Sequence, residues 1–473
     1  MTGSTLMVLS PGIPWVLAVA VATLDGRRAW VGWVAAAGLV GSLATLTALT
    51  LRVLQEGPVE LVAGGWPAGV GIVVRADALG VAFAAVSVGV LLVCFVYEVS
   101  EGVRSRTFPA LVLLLAAGLS GLFLTGDAFS FYVFFEISMT AAFVLTSYRE
   151  RASEVGAAFI FTVVNLLGSV IFLLSIGALY HVTGTLEMAG IASRVSQVNP
   201  NSLTAIAVGI FVAFALKLGL FPFHLWLPAV YVGSHPPVAA ILSGALANIG
   251  SYGLLRFSGI LPEQLALGST ALLVLGSTSI VYGALQAISR RDIREVLAYS
   301  AIGQVGYVLL VLGLGGPIGF AAAVVYTLVN ALNKTLLFLV APLRGPFVAA
   351  MFAIGAFSVA GVPPTAGFAA KFAAFDATLT AGEVGRTVVL VSLVFVGSAL
   401  SFVYAFQVYQ RVFVSPRREG DGSHSEKRNP AVRAVVAAVA AVVLAVGVWP
   451  QSLFVLGDRA AVVLTGGDGS GSS

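Results

Sequence analysis

The sequence predicts an all-α fold: a polytopic membrane protein of about fourteen transmembrane helices. Three observations carry that expectation. Of 473 residues, 59% are hydrophobic and 10% charged, against about 25% charged in an ordinary soluble domain, and mean hydropathy is +1.01. Apolar runs of about 18 or more residues, long enough to cross a bilayer, recur from one end of the chain to the other. The arginines gather on alternate loops, the bias that marks the face of a membrane protein kept inside the cell.

Composition also excludes function classes. A single cysteine, Cys94, rules out a disulfide framework and a thiolate iron–sulfur site. Four histidines, of which His181 and His424 read as loop residues, leave little for a haem or a metal centre, so no cofactor and no metal site are expected. The net charge of +4 reflects orientation in the membrane and implies no nucleic-acid partner. The N-terminus lacks a basic n-region and a cleavage site, and reads as the first span and not as a removed signal.

Cutting the apolar runs at charges and Gly/Pro clusters gives spans at about 6–24, 29–52, 77–98, 108–126, 128–148, 157–180, 203–234, 236–257, 268–287, 296–314, 319–341, 348–378, 386–411 and 432–456. The stretch GGWPAGVGIVVRAD at 64–77 suits a short hairpin on the outer face before the third span. The polar segment 415–429 reads as a mobile inside loop, and the tail GGDGSGSS as disordered by composition.

The positive-inside rule tests the count. With the N-terminus outside, sixteen basic residues fall on inside loops: Arg27, Arg28, Arg104, Arg106, Arg149, Arg151, Arg290, Arg291, Arg294, Arg344, Arg411, Arg417, Arg418, Lys427, Arg428 and Arg433. Six fall outside: Arg52, Arg75, Arg194, Arg256, Arg386 and Arg459. Adding or losing one span scrambles this partition. Both termini are therefore expected outside.

Two spans are interrupted. The seventh breaks near Pro222 and the twelfth at Gly361-Val362-Pro363-Pro364. The stretches GDAFSFYVFFEISMTAAFVLTSY and RRDIREVLAYSAIGQVGYVLL also match loosely, each running Asp, aromatic, then Tyr. Five spans separate the members of each pair. An odd number turns the second copy upside down, so spans four to eight and nine to thirteen are expected as inverted five-helix repeats, each with a discontinuous helix. This divides the chain into 1–107 (three spans and the hairpin), 108–257 (first repeat), 258–411 (second repeat) and 412–473 (inside loop, last span and tail).

The lysines point to chemistry. The chain uses 21 arginines and four lysines, yet three of those lysines, Lys217, Lys334 and Lys371, lie inside apolar spans and no arginine lies deep in one. Burial lowers a lysine by about 3–5 units from roughly 10.4, into the cellular range, which arginine cannot reach. Each such lysine costs on the order of 2.5–3.5 kcal/mol to insert. Snorkelling or static pairing is the bland alternative, and the depth of Lys217 and Lys371 beside their breaks argues against it. Glu136, the one acidic residue in mid-span, cannot be both ionised and alone, and Lys217 is its expected partner in a coupled pair. His224 and His235 flank the second half of the broken seventh span and suit a relay as well as packing. Asn330 lies one turn before Lys334, within reach of a hydrogen bond.

The motifs FFEISMTAAFVLTSY, ALKLGLFPFHLWLP, SRRDIREVLAYSAIGQVGYVLL, NALNKTLLFLVA and GVPPTAGFAAKF resemble the core of the proton-translocating antiporter-like family. That family includes the large subunits of Mrp-type Na+/H+ antiporters and their relatives in respiratory complex I and membrane-bound hydrogenases. The resemblance spans 64–411, and GGWPAGVGIVV, GTLEMA and GQVGY look most like the D subunit of Mrp antiporters. It implies that Glu136 is the fifth-helix glutamate, Lys217 its seventh-helix partner, Lys334 the eleventh-helix lysine, and Lys371 the lysine that ends the proton path. Two residues depart from the family pattern. Asn248 stands where a lysine or histidine is usual in the eighth helix, and Asn330 where a histidine often precedes the eleventh-helix lysine. An asparagine holds a water but takes up no proton in this range.

The expectation is a proton-translocating subunit of a multisubunit Na+/H+ antiporter in a prokaryotic cell membrane, not an enzyme. It would move H+ along an axis of Glu136, Lys217, His224, His235, Asn248, Lys334 and Lys371. Other integral membrane subunits, Na+, H+ and the lipid bilayer are the implied partners. The rivals are a pumping subunit of a redox complex, a stand-alone carrier and an inactive scaffold.

Overall fold

The computed structural model describes residues 2–65, 71–380, 382–414 and 429–466. They form nineteen α-helices and one small hairpin. The first half holds α1 (Gly3–Ala22), α2 (Ala29–Glu56), β1 (Val59–Val62), β2 (Val73–Ala76), α3 (Ala78–Glu101), α4 (Phe108–Phe123), α5 (Ala128–Thr146), α6 (Ala152–Thr183), α7 (Met188–Arg194), α8 (Pro200–Leu218), α9 (Trp226–Gly233), α10 (Pro236–Ile241) and α11 (Asn248–Ile260). The second half holds α12 (Pro262–Ser289), α13 (Ile293–Leu314), α14 (Gly316–Val340), α15 (Pro346–Ala360), α16 (Ala366–Leu379), α17 (Val384–Tyr409), α18 (Pro430–Val448) and α19 (Gln451–Leu464). Among the described residues, twelve helical stretches are long and apolar enough to cross a membrane, and α4 and α15 are shorter apolar helices. The chain is an all-α polytopic membrane protein.

The expected spans are all present. The seventh is α8 followed by α9, and the twelfth is α15 followed by α16. Both breaks begin at a glycine in the left-handed region, Gly219 (φ 61) and Gly361 (φ 84), whose N–H closes on the carbonyls of the preceding turn. Only glycine takes that conformation cheaply, so the helix ends there and the prolines that follow keep it from resuming. Each break holds one cis X-Pro bond, Phe221–Pro222 and Pro363–Pro364. The eighth span also departs from a regular helix. Between α10 and α11 it widens into a π turn over Leu242–Leu246, with Ala247 N–H bonding Leu242 C=O at 3.0 Å.

Loops predicted to share a face are joined by hydrogen bonds. Gly26 N–H bonds Arg106 C=O, Arg294 reaches Val232 C=O, and Arg411 reaches Arg290 C=O, linking the arginine-rich loops. At the opposite end Arg75 N–H bonds Leu124 C=O and Ala128 N–H bonds Leu186 C=O. The hairpin there pairs Val59 with Ala76 and Val62 with Val73. A hairpin was expected within 64–77; its second strand lies there, but its first starts earlier, at Val59, and residues 66–70 lie outside the described residues.

Three details differ from expectation. Helix α6 runs to Thr183 and takes in His181, expected in a loop, because nothing breaks the helix before Gly184 (φ 69). The last span stops at Val448, where Trp449-Pro450 turns the chain, since Pro450 has no N–H to continue the ladder. The chain then forms α19, whose first residues, to about 456, were expected as the end of the last span. Gly457 lets α19 lie against α14: a Cβ there would sit 2.8 Å from Val325 and 3.2 Å from the Ala321 carbonyl. The inside loop over 415–428, with His424, and the tail from 467 lie outside the described residues.

Helices α10, α11, α13 and α14 form the buried centre. Helices α1, α2, α6, α12, α17 and α18 surround them and leave apolar side chains such as Trp30, Phe159, Leu174 and Phe395 exposed. That is an inside-out surface suited to lipid or to neighbouring membrane helices.

Candidate functional site

The three intramembrane lysines are all interior: Lys217 is 4% exposed, Lys334 1% and Lys371 7%. Snorkelling is excluded at that burial. None of the three makes an ion pair among the described residues.

Lys217 lies in the last turn of α8, just before the break. Its Nζ donates to Asn165 Oδ1 at 3.3 Å, contacts Met139 Sδ, and sits over the rings of Phe135 (5.5 Å) and Phe161 (5.3 Å). Glu136, on α5, is half-buried and accepts from the Ser169 hydroxyl. No salt bridge joins Glu136 to Lys217, the two residues expected as a coupled pair. Helix α6 borders both, presenting Asn165 to the amine and Ser169, four residues on, to the carboxylate. On α5, Met139 follows Glu136 by three residues, so one helical face carries both contacts.

The second half is more continuous. Lys334 Nζ donates to Ser300 Oγ at 2.9 Å and to Leu297 C=O at 3.4 Å. The Ser300 and Tyr404 hydroxyls are 2.9 Å apart, Gln304 Nε2 donates to the Tyr404 hydroxyl at 3.4 Å, and the Tyr326 hydroxyl donates to Gln304 Oε1 at 2.6 Å. Gln304 and Tyr326 line a small cavity of about 10 Å³ together with Asn330, Asn333, Ser358 and Lys371. Lys371 lies on α16 beyond the break, with Nζ 4.0 Å from the centre of the Tyr307 ring. Lys334 thus leads through hydroxyl and amide groups to the cavity that Lys371 borders. Asn330 lines that cavity and does not bond Lys334, contrary to expectation; the amine bonds Ser300 and the Leu297 carbonyl of α13 instead.

The remaining expected residues divide. His224, buried in the break of the seventh span, has Nε2 2.9 Å from the Tyr282 hydroxyl of α12, so it ties that break to α12. Asn248 follows the π turn and donates to Ser87 Oγ of α3 at 3.0 Å and to Gly244 C=O at 3.0 Å. His235 lies apart, at the arginine-rich end, where Nε2 donates to Glu98 Oε2 at 2.8 Å.

Sequence reading missed Asn165, Ser169, Ser300, Gln304, Tyr404 and Glu98. The available signal was spacing: Asn165 and Ser169, like Ser300 and Gln304, stand four apart in mostly apolar spans. It also assigned Arg256 to the outer segments. The structure buries Arg256 in α11, where its guanidinium holds Asp77 through two bonds of 2.7 and 2.8 Å and donates to the Tyr252 hydroxyl at 2.8 Å. Planar guanidinium and carboxylate match in this way, and such a pair is a brace and not an exchanger.

Because no amine is bound to a carboxylate, each can gain or lose a proton without first breaking a salt bridge. Lys217 bonds an amide oxygen and Lys334 a hydroxyl and a backbone carbonyl, neutral groups that do not fix charge, while Lys371 Nζ has no hydrogen-bond partner among the described residues.

Comparison with known proteins agrees with this architecture. The transmembrane family described as NADH:quinone oxidoreductase/Mrp antiporter matches residues 125–344. The chain is 34% identical over 358 residues to the D subunit of the Na(+)/H(+) antiporter of Alkalihalophilus pseudofirmus, covering 71% of this chain and 73% of that protein. It is 28% identical over 471 residues to the putative antiporter subunit mnhD2 of Staphylococcus epidermidis, covering 94% and 93%. Among solved structures, a chain of the Mrp complex from Dietzia sp. DQ12-45-1b superposes with a TM-score of 0.89 at 27% identity, over 98% of both chains. A chain of respiratory complex I from Thermus thermophilus superposes with a TM-score of 0.73 at 26% identity, over 94% of this chain and 98% of that one. The chain belongs to the NADH:quinone oxidoreductase/Mrp antiporter transmembrane family.

Proposed function

We propose that this chain is the proton-translocating subunit of a multisubunit Na+/H+ antiporter, a transporter and not an enzyme. It sits in a bacterial cell membrane with both termini outside, among other integral membrane subunits. One observation carries the reading: three interior lysines, free of carboxylates, lie among hydroxyl and amide groups on the discontinuous and central helices. The names of the relatives, the D subunit of a Na(+)/H(+) antiporter and mnhD2, support the cation exchange.

In this reading residues 1–107 and 412–473 flank two repeats, 108–257 and 258–411. A proton reaching Lys217 is felt by Glu136 through the Asn165–Ser169 face of α6. His224 and Tyr282 carry the influence across to the second repeat, with Asn248 and Ser87 holding the polar middle of the eighth span. Lys334 then passes the proton through Ser300, Tyr404 and Gln304 toward Lys371, where it leaves. Coupling is electrostatic, since a charge arriving at one amine alters the affinity of the next for its proton.

The test is Na+-dependent proton exchange in everted vesicles carrying the whole complex. Lys217→Ala and Glu136→Ala are expected to abolish exchange while the subunit still assembles. Retained exchange in either variant refutes the assigned roles. A second reading, a pumping subunit of a redox complex, is favoured by the superposition on a complex I chain. Flavin or iron–sulfur subunits copurifying in mild detergent would select it, and small cofactor-free membrane proteins would select the antiporter.

A further inference from the structure

Glu98 has no place in the lysine path, yet it is the most enclosed carboxylate at the arginine-rich end. It lies in the last turn of α3 with no solvent exposure. Three donors from two other connections converge on it: the Tyr148 hydroxyl at 2.7 Å, Arg149 Nη2 at 3.1 Å and His235 Nε2 at 2.8 Å. Tyr148 is fixed in turn by Arg104 N–H at 2.7 Å, and Arg149 N–H donates to the buried Glu154 at 2.8 Å.

A buried carboxylate needs one compensating cation, and Arg149 supplies it. His235 is an additional donor that charge balance does not require. It is the one imidazole of the cluster, with two ring nitrogens that can each hold a proton, and its side chain is 13% exposed. With Nε2–H given to Glu98, Nδ1 is left as the acceptor.

The cluster also has a position in a larger pattern. The third and eighth spans meet through polar side chains at three levels: Asp77–Arg256 at the far end, Ser87–Asn248 in the middle, and Glu98–His235 at the arginine-rich end. The far end is closed by a doubly bonded ion pair. The near end carries the titratable, part-exposed group.

We propose that Glu98 is a positioning residue for proton exchange on the arginine-rich face: it fixes the ring of His235, which takes up and returns the proton at Nδ1. This rests on the proton-translocating reading given above. In the step an N–H bond forms at Nδ1 as an O–H bond of hydronium breaks, Nε2–H stays on Glu98, and the Nδ1 proton later leaves to a water on the path. No electron moves. Glu98 helps by its charge, which favours the imidazolium, and by its geometry, which fixes the tautomer.

The test measures exchange in vesicles against pH on the arginine-rich side, using the whole complex. Glu98→Gln keeps the shape and the hydrogen-bonding capacity but removes the charge. It is expected to slow exchange about 10-fold near neutral pH and to move the acid limb of the profile down by about 1 unit, as loss of an adjacent charge does. Glu98→Asp should restore part of the shift, and in a His235→Gln background Glu98→Gln should change nothing further. An unmoved profile, or a loss that adds fully to that of His235→Gln, overturns the proposal. If Glu98→Gln fails to assemble, His235→Gln decides, because the Glu98–Arg149 pair remains and an unmoved profile overturns the proposal equally. Lys217→Ala in the same vesicles separates the two readings: exchange retained there sinks the lysine axis, while the comparison of Glu98 with His235 still stands or falls on its own profile.

Discussion

Lys217 donates to Asn165 at 3.3 Å and forms no ion pair with Glu136. The amine and the carboxylate are held by two residues of one face of α6, a neutral amide and a hydroxyl, and not by each other. This arrangement lets either group change charge while the other keeps its partner. A direct salt bridge would bind the two charges together and resist that change.

Asn165→Leu should therefore impair exchange although no titratable group is lost. A hydrogen bond to a charged group is worth about 1.5–3 kcal/mol, so a fall of roughly 10-fold or more in initial rate is expected, with Ser169→Ala milder. Rates of Na+-driven ΔpH collapse at equal subunit content measure it. A wild-type rate in Asn165→Leu would show that the contact is incidental.

Lys217→Arg and Lys371→Arg keep a positive charge but remove the ability to release it. Both should be as inactive as the alanine variants. Substantial exchange in either arginine variant would mean that a fixed charge suffices and that the lysines only brace the bundle.

Gln304→Leu cuts the contacts between Tyr404 and Tyr326 and leaves both lysines in place. Exchange should drop about 10-fold or more, since the buried Tyr326 hydroxyl loses its acceptor and the Tyr404 hydroxyl is left with Ser300. The complex should still assemble, as judged by gel filtration in detergent. Unchanged exchange would remove Gln304 from the path.

Arg256→Ala is expected to act on stability first. Breaking one side of a buried ion pair costs about 3–5 kcal/mol, and here Asp77 would lose both bidentate bonds. Thermal unfolding in detergent should shift down by several degrees. Asp77→Ala/Arg256→Ala should be less harmful than the two single losses combined. Full additivity would mean that the pair contributes little as a pair.

Gly367→Ala probes the twelfth-span break. A Cβ there would collide with the Ser358 carbonyl oxygen, so α15 and α16 must move apart beside Lys371. Overpacking of this kind costs about 1–3 kcal/mol or more. Reduced assembly or reduced exchange is expected, and a variant normal in both would show that the two half-helices are not held in one fixed arrangement.

The sequence by itself determined the bundle, the spans, the two breaks and the depth of the lysines. Those features are written locally: a run of apolar residues, a glycine followed by prolines, an arginine bias between alternate spans. Only the tertiary structure decided what each group faces. Lys217 meets Asn165 across 52 residues of chain, and Arg256 meets Asp77 across 179. Asn165, Ser300 and Gln304 are ordinary polar residues within helices, and a four-residue spacing shows a shared face without showing what that face meets. Glu98 stands at a helix end, where a carboxylate usually reaches water; its burial follows from Tyr148, Arg149 and His235 closing over it. Pairings between distant helices are set by how the helices pack, and hydropathy along one chain carries no record of which polar side chain will lie opposite which.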